Sequence, residues 1–184
     1  MDDLIKRCIK GNRDAQYRLY QHFAAQMLGI CYRYTKSKED AEDVLQEGFI
    51  KVFKNLSQYR NDGDFGAWIR KIMVNTTLTY LNKHNRYKKE MLIDDVAVHP
   101  ISDDNPDIKL NTKELADTIR ELPLNYQTIF NLIAIEGYDY NEVCDLLELN
   151  MNTARSQYSR ARATLINLLK IKEQSSEKNY AGNI

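Results

Sequence analysis

The stretch Asp139-Tyr-Asn-Glu-Val-Cys-Asp-Leu-Leu-Glu-Leu-Asn-Met-Asn-Thr-Ala-Arg-Ser-Gln-Tyr-Ser-Arg-Ala-Arg162 decides how this chain is read. Asp139 is placed to cap a short helix over 140–148, residues 149–152 make a turn, and a second helix runs on to about Lys170. Between residues 150 and 172 stand Arg155, Arg160, Arg162, Lys170 and Lys172, with no Asp or Glu among them. At about 100° per residue, Ala154, Tyr158, Ala161, Leu165 and Leu168 share one stripe. Arg155, Ser156, Ser159 and Arg160 then point the other way, with Arg162 on the flank. Short hydroxyl side chains let a helix approach a DNA groove while flanking arginines reach phosphates or guanine edges. The spacing predicts a helix-turn-helix with a basic recognition face. A solvated basic face is the alternative that charge alone leaves open.

The total charge hides this basicity. Residues 1–90 carry 17 Lys and Arg against 11 Asp and Glu, 91–117 carry 2 against 7, and 118–184 carry 7 against 8, so a formal net charge of zero is a cancellation. A second acid-free stretch, 65–89, holds Arg70, Lys71, Lys83, Arg86, Lys88 and Lys89. With 184 residues, 43% hydrophobic and 28% charged, the composition is that of a globular protein of one or two small domains.

Only 7 Gly and 3 Pro, and no β-branched alternation, point to an all-α fold. Ala15, Leu19, Phe23, Met27, Ile30 and Tyr34 trace one long amphipathic helix. Ser37 caps a helix over 38–56, residues 59–64 form a polar Asn-Asp-Gly loop, and a helix follows over 65–84. Residues 91–111, with Asp94-Asp95, His99-Pro100 and Ser102-Asp-Asp-Asn-Pro106, have the composition of an acidic flexible linker. The expected organisation is a first helical domain over 1–90, the linker, a second domain over 112–172 and a disordered tail over 173–184. In the second domain a short helix stops at Leu122-Pro123, Asn125 caps the next, and Gly137 ends it.

The helix over 38–56 carries Ala41, Leu45, Gly48, Val52 and Leu56 inward, yet Asp43, Gln46, Glu47, Ile50 and Phe53 on its far side. An Ile and a Phe among acids suggest either a protein-binding patch or cover by another helix of the same domain. The acids Glu39, Asp40, Glu42, Asp43 and Glu47 point around most of the helix with no His or Cys beside them, so no metal site and no cofactor is expected. Tyr80 and Tyr87 interleave with Lys83, His84, Arg86, Lys88 and Lys89, a pattern suited to stacking unpaired bases. Cys8, Cys31 and Cys144 form no CxxC pair and read as core thiols of a reducing compartment. No apolar run approaches the roughly 18 residues of a membrane span. The start Met1-Asp2-Asp3 lacks the charge of a signal peptide, so a cytoplasmic protein is expected, without membrane insertion.

The residues also carry a resemblance. Asp40-Ala-Glu-Asp-Val-Leu-Gln-Glu-Gly-Phe-Ile50, followed by Phe65-Gly-Ala-Trp68-Ile-Arg-Lys-Ile-Met-Val-Asn75-Thr, resembles region 2 of bacterial sigma factors. Leu122-Pro-Leu-Asn-Tyr126-Gln-Thr-Ile-Phe130, Glu136-Gly-Tyr-Asp-Tyr-Asn-Glu142-Val and Asn152-Thr-Ala-Arg155-Ser-Gln-Tyr-Ser-Arg160-Ala-Arg162 resemble region 4. Two such regions joined by a short linker are similar to the extracytoplasmic-function (ECF) sigma factors, over about residues 10–170.

The resemblance implies a non-enzymic promoter-specificity subunit that binds RNA polymerase core. It implies that Asp43, Gln46, Glu47, Ile50 and Phe53 meet the polymerase clamp helices and that an apolar surface around 129–133 meets the flap. Arg60, Asn61, Asp62 and Asn75 match positions that capture unpaired bases of the −10 element, and Lys83 and Arg86 lie where its upstream duplex runs. Thr153, Arg155, Ser156, Ser159, Arg160 and Arg162 match the part that enters the −35 major groove. A membrane-bound anti-sigma factor is a further partner implied by resemblance. The chain departs from the family pattern at Glu148, where Gly is common, at Thr79 and Asn82, and at Gln157, where Arg or Lys is frequent. A stand-alone helix-turn-helix regulator is the competing reading, and it leaves 38–89 without a role. A helical adaptor is a third, and it leaves both basic faces idle.

Overall fold

Side-chain caps mark where this chain turns into helix. Asn12 Oδ1 accepts from the Ala15 amide at 2.9 Å, Ser37 Oγ from the Asp40 amide at 3.0 Å and Asp64 Oδ2 from the Ala67 amide at 2.7 Å. Each satisfies one orphan donor of a helix start. The computed structural model describes residues 1–60, 63–83 and 112–181, with the side chains of the last span over 114–174. Every regular element among them is helical, and the chain divides into two units, Met1–Arg86 and Tyr87–Ile184. The expected linker over 91–111 lies outside the described residues.

The first unit holds α1 (Asp2–Ile9), α2 (Arg13–Tyr34), α3 (Lys38–Asn55), a 3-10 turn (Leu56–Gln58) and α4 (Phe65–Lys83). Helices α2, α3 and α4 pack pairwise, and α1 lies against α2 and the 3-10 turn. The sequence pattern does not announce α1; Gly11, at φ 77°, makes the reversal from α1 into α2. Leu19, Met27, Ile30, Val52, Ile69 and Met73 are fully buried at the centre. A Cβ placed on Gly48 would run into the end of the Met73 side chain, so glycine at this inward position leaves room for Met73 between α3 and α4. The far ends of the same two helices are tied by Tyr80, whose hydroxyl donates to Asp40 Oδ1 at 2.5 Å.

The second unit holds α5 (Thr112–Glu121), α6 (Leu124–Phe130) with a π-helical continuation (Asn131–Ile135), α7 (Tyr140–Leu147) and α8 (Met151–Ala181). Asn125 does not cap α6 as expected: Pro123 precedes the first helical residue and Asn125 is buried inside it, 1% exposed. The helical turn ends at Gly137, φ 78°, and the Tyr138 amide donates back to the Leu132 carbonyl at 3.0 Å. Helix α8 does not stop near Lys170. Its backbone stays helical through 173–181, where a disordered tail is expected, because no Gly or Pro interrupts the chain before Gly182. Lys172, on this extension, donates to Thr118 Oγ1 at 3.0 Å and pairs with Glu121 at 2.5 Å, tying α8 to α5.

Candidate functional site

Three surfaces collect the residues singled out from the sequence. On α3, Asp43, Gln46, Glu47 and Ile50 are exposed and Phe53 is half-buried. Ile50 is 53% exposed, so among the described residues no helix covers it. Phe53 is different: its ring lies 6.1 Å from Phe49, which packs edge-on to Tyr20 at 4.7 Å. One side of Phe53 thus belongs to the domain and the other to the surface. Glu47 pairs with Lys51 at 2.9 Å along the same helix.

The loop before α4 is built on aromatic rings. Phe65 stacks on Trp68 with centroids 5.6 Å apart, Tyr59 packs against both at 4.9 and 5.5 Å, and Phe23 meets Phe65 at 5.7 Å. The Tyr59 hydroxyl donates to the Gly63 carbonyl, and Asp64 caps α4. These interactions fix both ends of the loop while Arg60 stays exposed between them. A recess of about 340 Å³ opens beside the loop, walled by Phe23, Tyr59 and Phe65, by Ile5 of α1 and by Met1 just ahead of that helix. No sequence pattern singles out these five residues as a group, because they lie far apart along the chain.

Asn75 and Lys83 are also exposed on α4. At about 1.5 Å per residue they stand roughly 15 and 27 Å along the helix from Phe65, so this group forms a line down one helix and not a single point. Asn61, Asp62 and Arg86, with the rest of the basic cluster over 84–89, lie outside the described residues.

The helix-turn-helix is held by a full capping box. Asp139 Oδ1 accepts from the Asn141 and Glu142 amides at 2.7 and 2.9 Å, while Glu142 Oε2 accepts from the Asp139 amide at 2.9 Å. The turn is shorter than expected, over 148–150: Glu148 is left-handed at φ 54°, and Asn150 Oδ1 caps α8 through the Thr153 amide at 2.8 Å. Glu148 thus adopts the conformation that glycine takes at no steric cost. Arg155, Ser156, Ser159, Arg160 and Arg162 are all exposed, and Thr153 is half-buried at the cap. On the helical wheel the two serines lie at the middle of this face and the arginines at its edges.

Burial in this unit changes how one departure and one expected surface are read. Gln157 is 2% exposed and sits inward with Ala154, Ala161 and Leu165, whereas Tyr158 is half-buried beside that stripe. Its departure from the family pattern therefore falls on the core and not on the recognition face. In the segment 129–133 expected to meet the flap, Ile129 and Leu132 are fully buried, and only Phe130 and Ile133 keep part of their surface.

Buried thiols complete the picture. Burial raises the Cys31 thiol to about 11, against weaker lowering by a hydrogen bond with Thr77 and by Arg33. Burial also pushes Cys8 up, with Arg7 pulling the other way. Among the described residues no helix is long and apolar enough to cross a membrane.

Comparison with known proteins agrees with this geometry. Residues 19–87 match sigma-70 region 2 and residues 112–165 match sigma-70 region 4. The chain is 30% identical over 175 residues to the ECF RNA polymerase sigma-E factor of Haemophilus influenzae, covering 89% of this chain and 92% of that protein. It is 27% identical over 173 residues to the RNA polymerase sigma-H factor of Pseudomonas aeruginosa, covering 88% and 90% of the two chains. Among solved structures, the sigma factor RpoE of Bartonella quintana, in complex with the anti-sigma factor NepR, superposes with a TM-score of 0.52 at 19% identity, over 84% of this chain and 96% of that one. That likeness bears on the fold alone. The stand-alone regulator reading has no place for the region 2 match, and the family is a non-catalytic one. The chain belongs to the ECF sigma factors of the sigma-70 family, alternative sigma factors that direct transcription initiation.

Proposed function

We propose that the three surfaces divide the work of initiation. The α3 face, with Ile50 at its apolar centre and Asp43, Gln46, Glu47 and Phe53 around it, binds the clamp helices of RNA polymerase core. Phe130 and Ile133 supply what apolar contact the second unit makes with the flap. The loop with Arg60, Asn61 and Asp62, followed along α4 by Asn75, captures unpaired bases of the −10 element, and Lys83 and Arg86 hold the phosphates of its upstream duplex. Thr153, Arg155, Ser156, Ser159, Arg160 and Arg162 bind the −35 major groove. The protein acts in the cytoplasm, without catalytic chemistry of its own, and an anti-sigma factor withholds it from polymerase.

The observation that best supports this reading is Ile50: a large apolar side chain, 53% exposed, in the middle of a polar and charged helix face. Apolar surface left open at the centre of a polar rim is the usual anatomy of a protein interface. Physics also favours division of labour, because each DNA-binding surface is small. Two weak contacts give tight binding when a scaffold fixes their spacing, and core polymerase is that scaffold.

Selection from a randomised duplex library tests the reading. Core with this protein is expected to enrich two sequence blocks at one fixed spacing, while the free protein enriches neither strongly. Enrichment of a single palindromic block by the free protein would overturn it in favour of a stand-alone regulator.

A further inference from the structure

Tyr140 has no part in the assignments above, yet it touches the recognition face. The Arg155 guanidinium lies over the Tyr140 ring, 5.8 Å from its centroid. That is within the roughly 6 Å reach at which a cation is drawn to the electron-rich face of an aromatic ring. Among the described residues this ring is the one side-chain partner Arg155 has.

The ring is itself held. Tyr140 is the first residue of α7, whose start is locked by the Asp139 capping box. Tyr158 meets it edge-on, with centroids 6.2 Å apart and planes at 80°, and Tyr158 in turn stacks on Phe130 at 6.2 Å. The three rings make a column from the end of α6 through α8 to the first turn of α7, with Arg155 at its open end. A free arginine on an exposed helix face has several soft torsions, and ordering them on DNA costs entropy. A guanidinium already resting on a fixed ring gives up less.

We propose that Tyr140 is a positioning residue for −35 recognition: it holds Arg155 in the orientation that meets the groove. This rests on the assignment of Arg155 to the −35 duplex. Tyr140 and Arg155 are therefore one unit in the energetics of binding. Removing the ring should matter while Arg155 is present and cease to matter once it is gone.

The test uses the full chain assembled with core polymerase and, as probe, the duplex enriched by the wild-type holoenzyme from a randomised library. Affinity is measured for wild type, for Tyr140→Phe, for Tyr140→Leu, and for Tyr140 replaced by phenylalanines bearing one to five ring fluorines. Each is made with and without Arg155→Ala. Fluorination drains the ring face of negative charge at nearly constant shape, so it separates the cation interaction from packing even where Tyr140→Leu destabilises the unit. We expect Tyr140→Phe to bind like wild type and affinity to fall stepwise with fluorination, to roughly two- to fivefold weaker. With Arg155→Ala the fluorine series is expected to be flat. A slope that persists without Arg155, a flat series with Arg155, tighter binding on fluorination, or a Tyr140→Phe loss equal to that of Tyr140→Leu would each overturn the proposal. If the wild-type holoenzyme enriches no upstream block at all, it is the −35 assignment that fails.

Discussion

Substituting Ile50 by Glu separates polymerase binding from folding, and the structure sets the size of both effects. Full burial of an Ile side chain is worth about 1.5–3 kcal/mol. With Ile50 53% exposed, the free protein has roughly half of that at stake, near 1 kcal/mol. Glutamate recovers a few tenths of a kcal/mol in helix propensity, while attraction to Lys54 one turn on, about 0.2–0.5 kcal/mol, is largely offset by repulsion from Glu47 one turn back. The net loss is therefore about 0.5 kcal/mol, a melting shift of roughly 2–4 °C for a unit of this size. In the complex the same carboxylate is buried without a partner, at a cost of about 3–5 kcal/mol, which is roughly 150-fold or more in affinity. Phe53→Glu is a less clean probe, because its ring packs on Phe49 and the free domain should lose about 1–2 kcal/mol. The assay is circular dichroism melting beside pull-down of core polymerase for each variant. Intact melting with abolished pull-down for Ile50→Glu is the expected result. Intact melting with undiminished pull-down would refute the placement of the interface on this face, and a collapsed melt would refute the reading of Ile50 as surface.

Three further outcomes follow from the geometry. Arg155→Ala and Arg160→Ala, both on exposed positions, should weaken −35 duplex binding by the holoenzyme while leaving the melt of the second unit within about 0.5 kcal/mol; an arginine that reaches a phosphate reveals itself by a salt slope shallower by about 0.9 in its alanine variant, one that reaches a guanine by a penalty of about 1–3 kcal/mol at one base pair. Glu148→Gly should stabilise the second unit by about 0.5–1 kcal/mol in urea titration, because Glu148 sits at φ 54° and glycine removes that strain; a fall in stability would show that its side chain matters more than its backbone. For Cys31, folding raises the thiol from 9.0 to about 11, so the folded chain keeps a proton that the unfolded chain releases; its contribution to stability is whole below pH 9 and fades as the pH climbs toward 11. Alkylation at pH 8 should accordingly label half-exposed Cys144 first and Cys31 only on unfolding, with fast labelling of Cys31 in the native protein as the contrary result.

Long elements and their caps are legible in the sequence because they obey local rules. The 3.6-residue period of α2, the Ser37 and Asp139 caps and the inward stripe of α3 all follow from chain-local chemistry. Helix α1 is not legible: in eight residues it buries only Ile5 and Cys8, too few positions to establish a period. Asn125 resembles a cap because asparagine favours caps, but Pro123 already fixes the chain direction ahead of the helix. Gln157 misleads through its polarity, although its place on the wheel beside Ala154 and Ala161 already points inward. The π-helical turn over 131–135 has no compositional mark that separates it from α-helix. Surface residues of the recognition helix can be placed from spacing alone. The recess by the loop and the ring under Arg155 cannot, since both join residues brought together only by packing.

The most direct measurement is transcription in vitro from sheared DNA of the source genome, with core polymerase in the presence and absence of this protein and the 5′ ends of the products mapped. Discrete start sites are expected only when both are present, each preceded by the same pair of sequence blocks, and Ile50→Glu is expected to abolish them. Start sites that are unchanged between core alone and core with the protein would contradict the account at its centre.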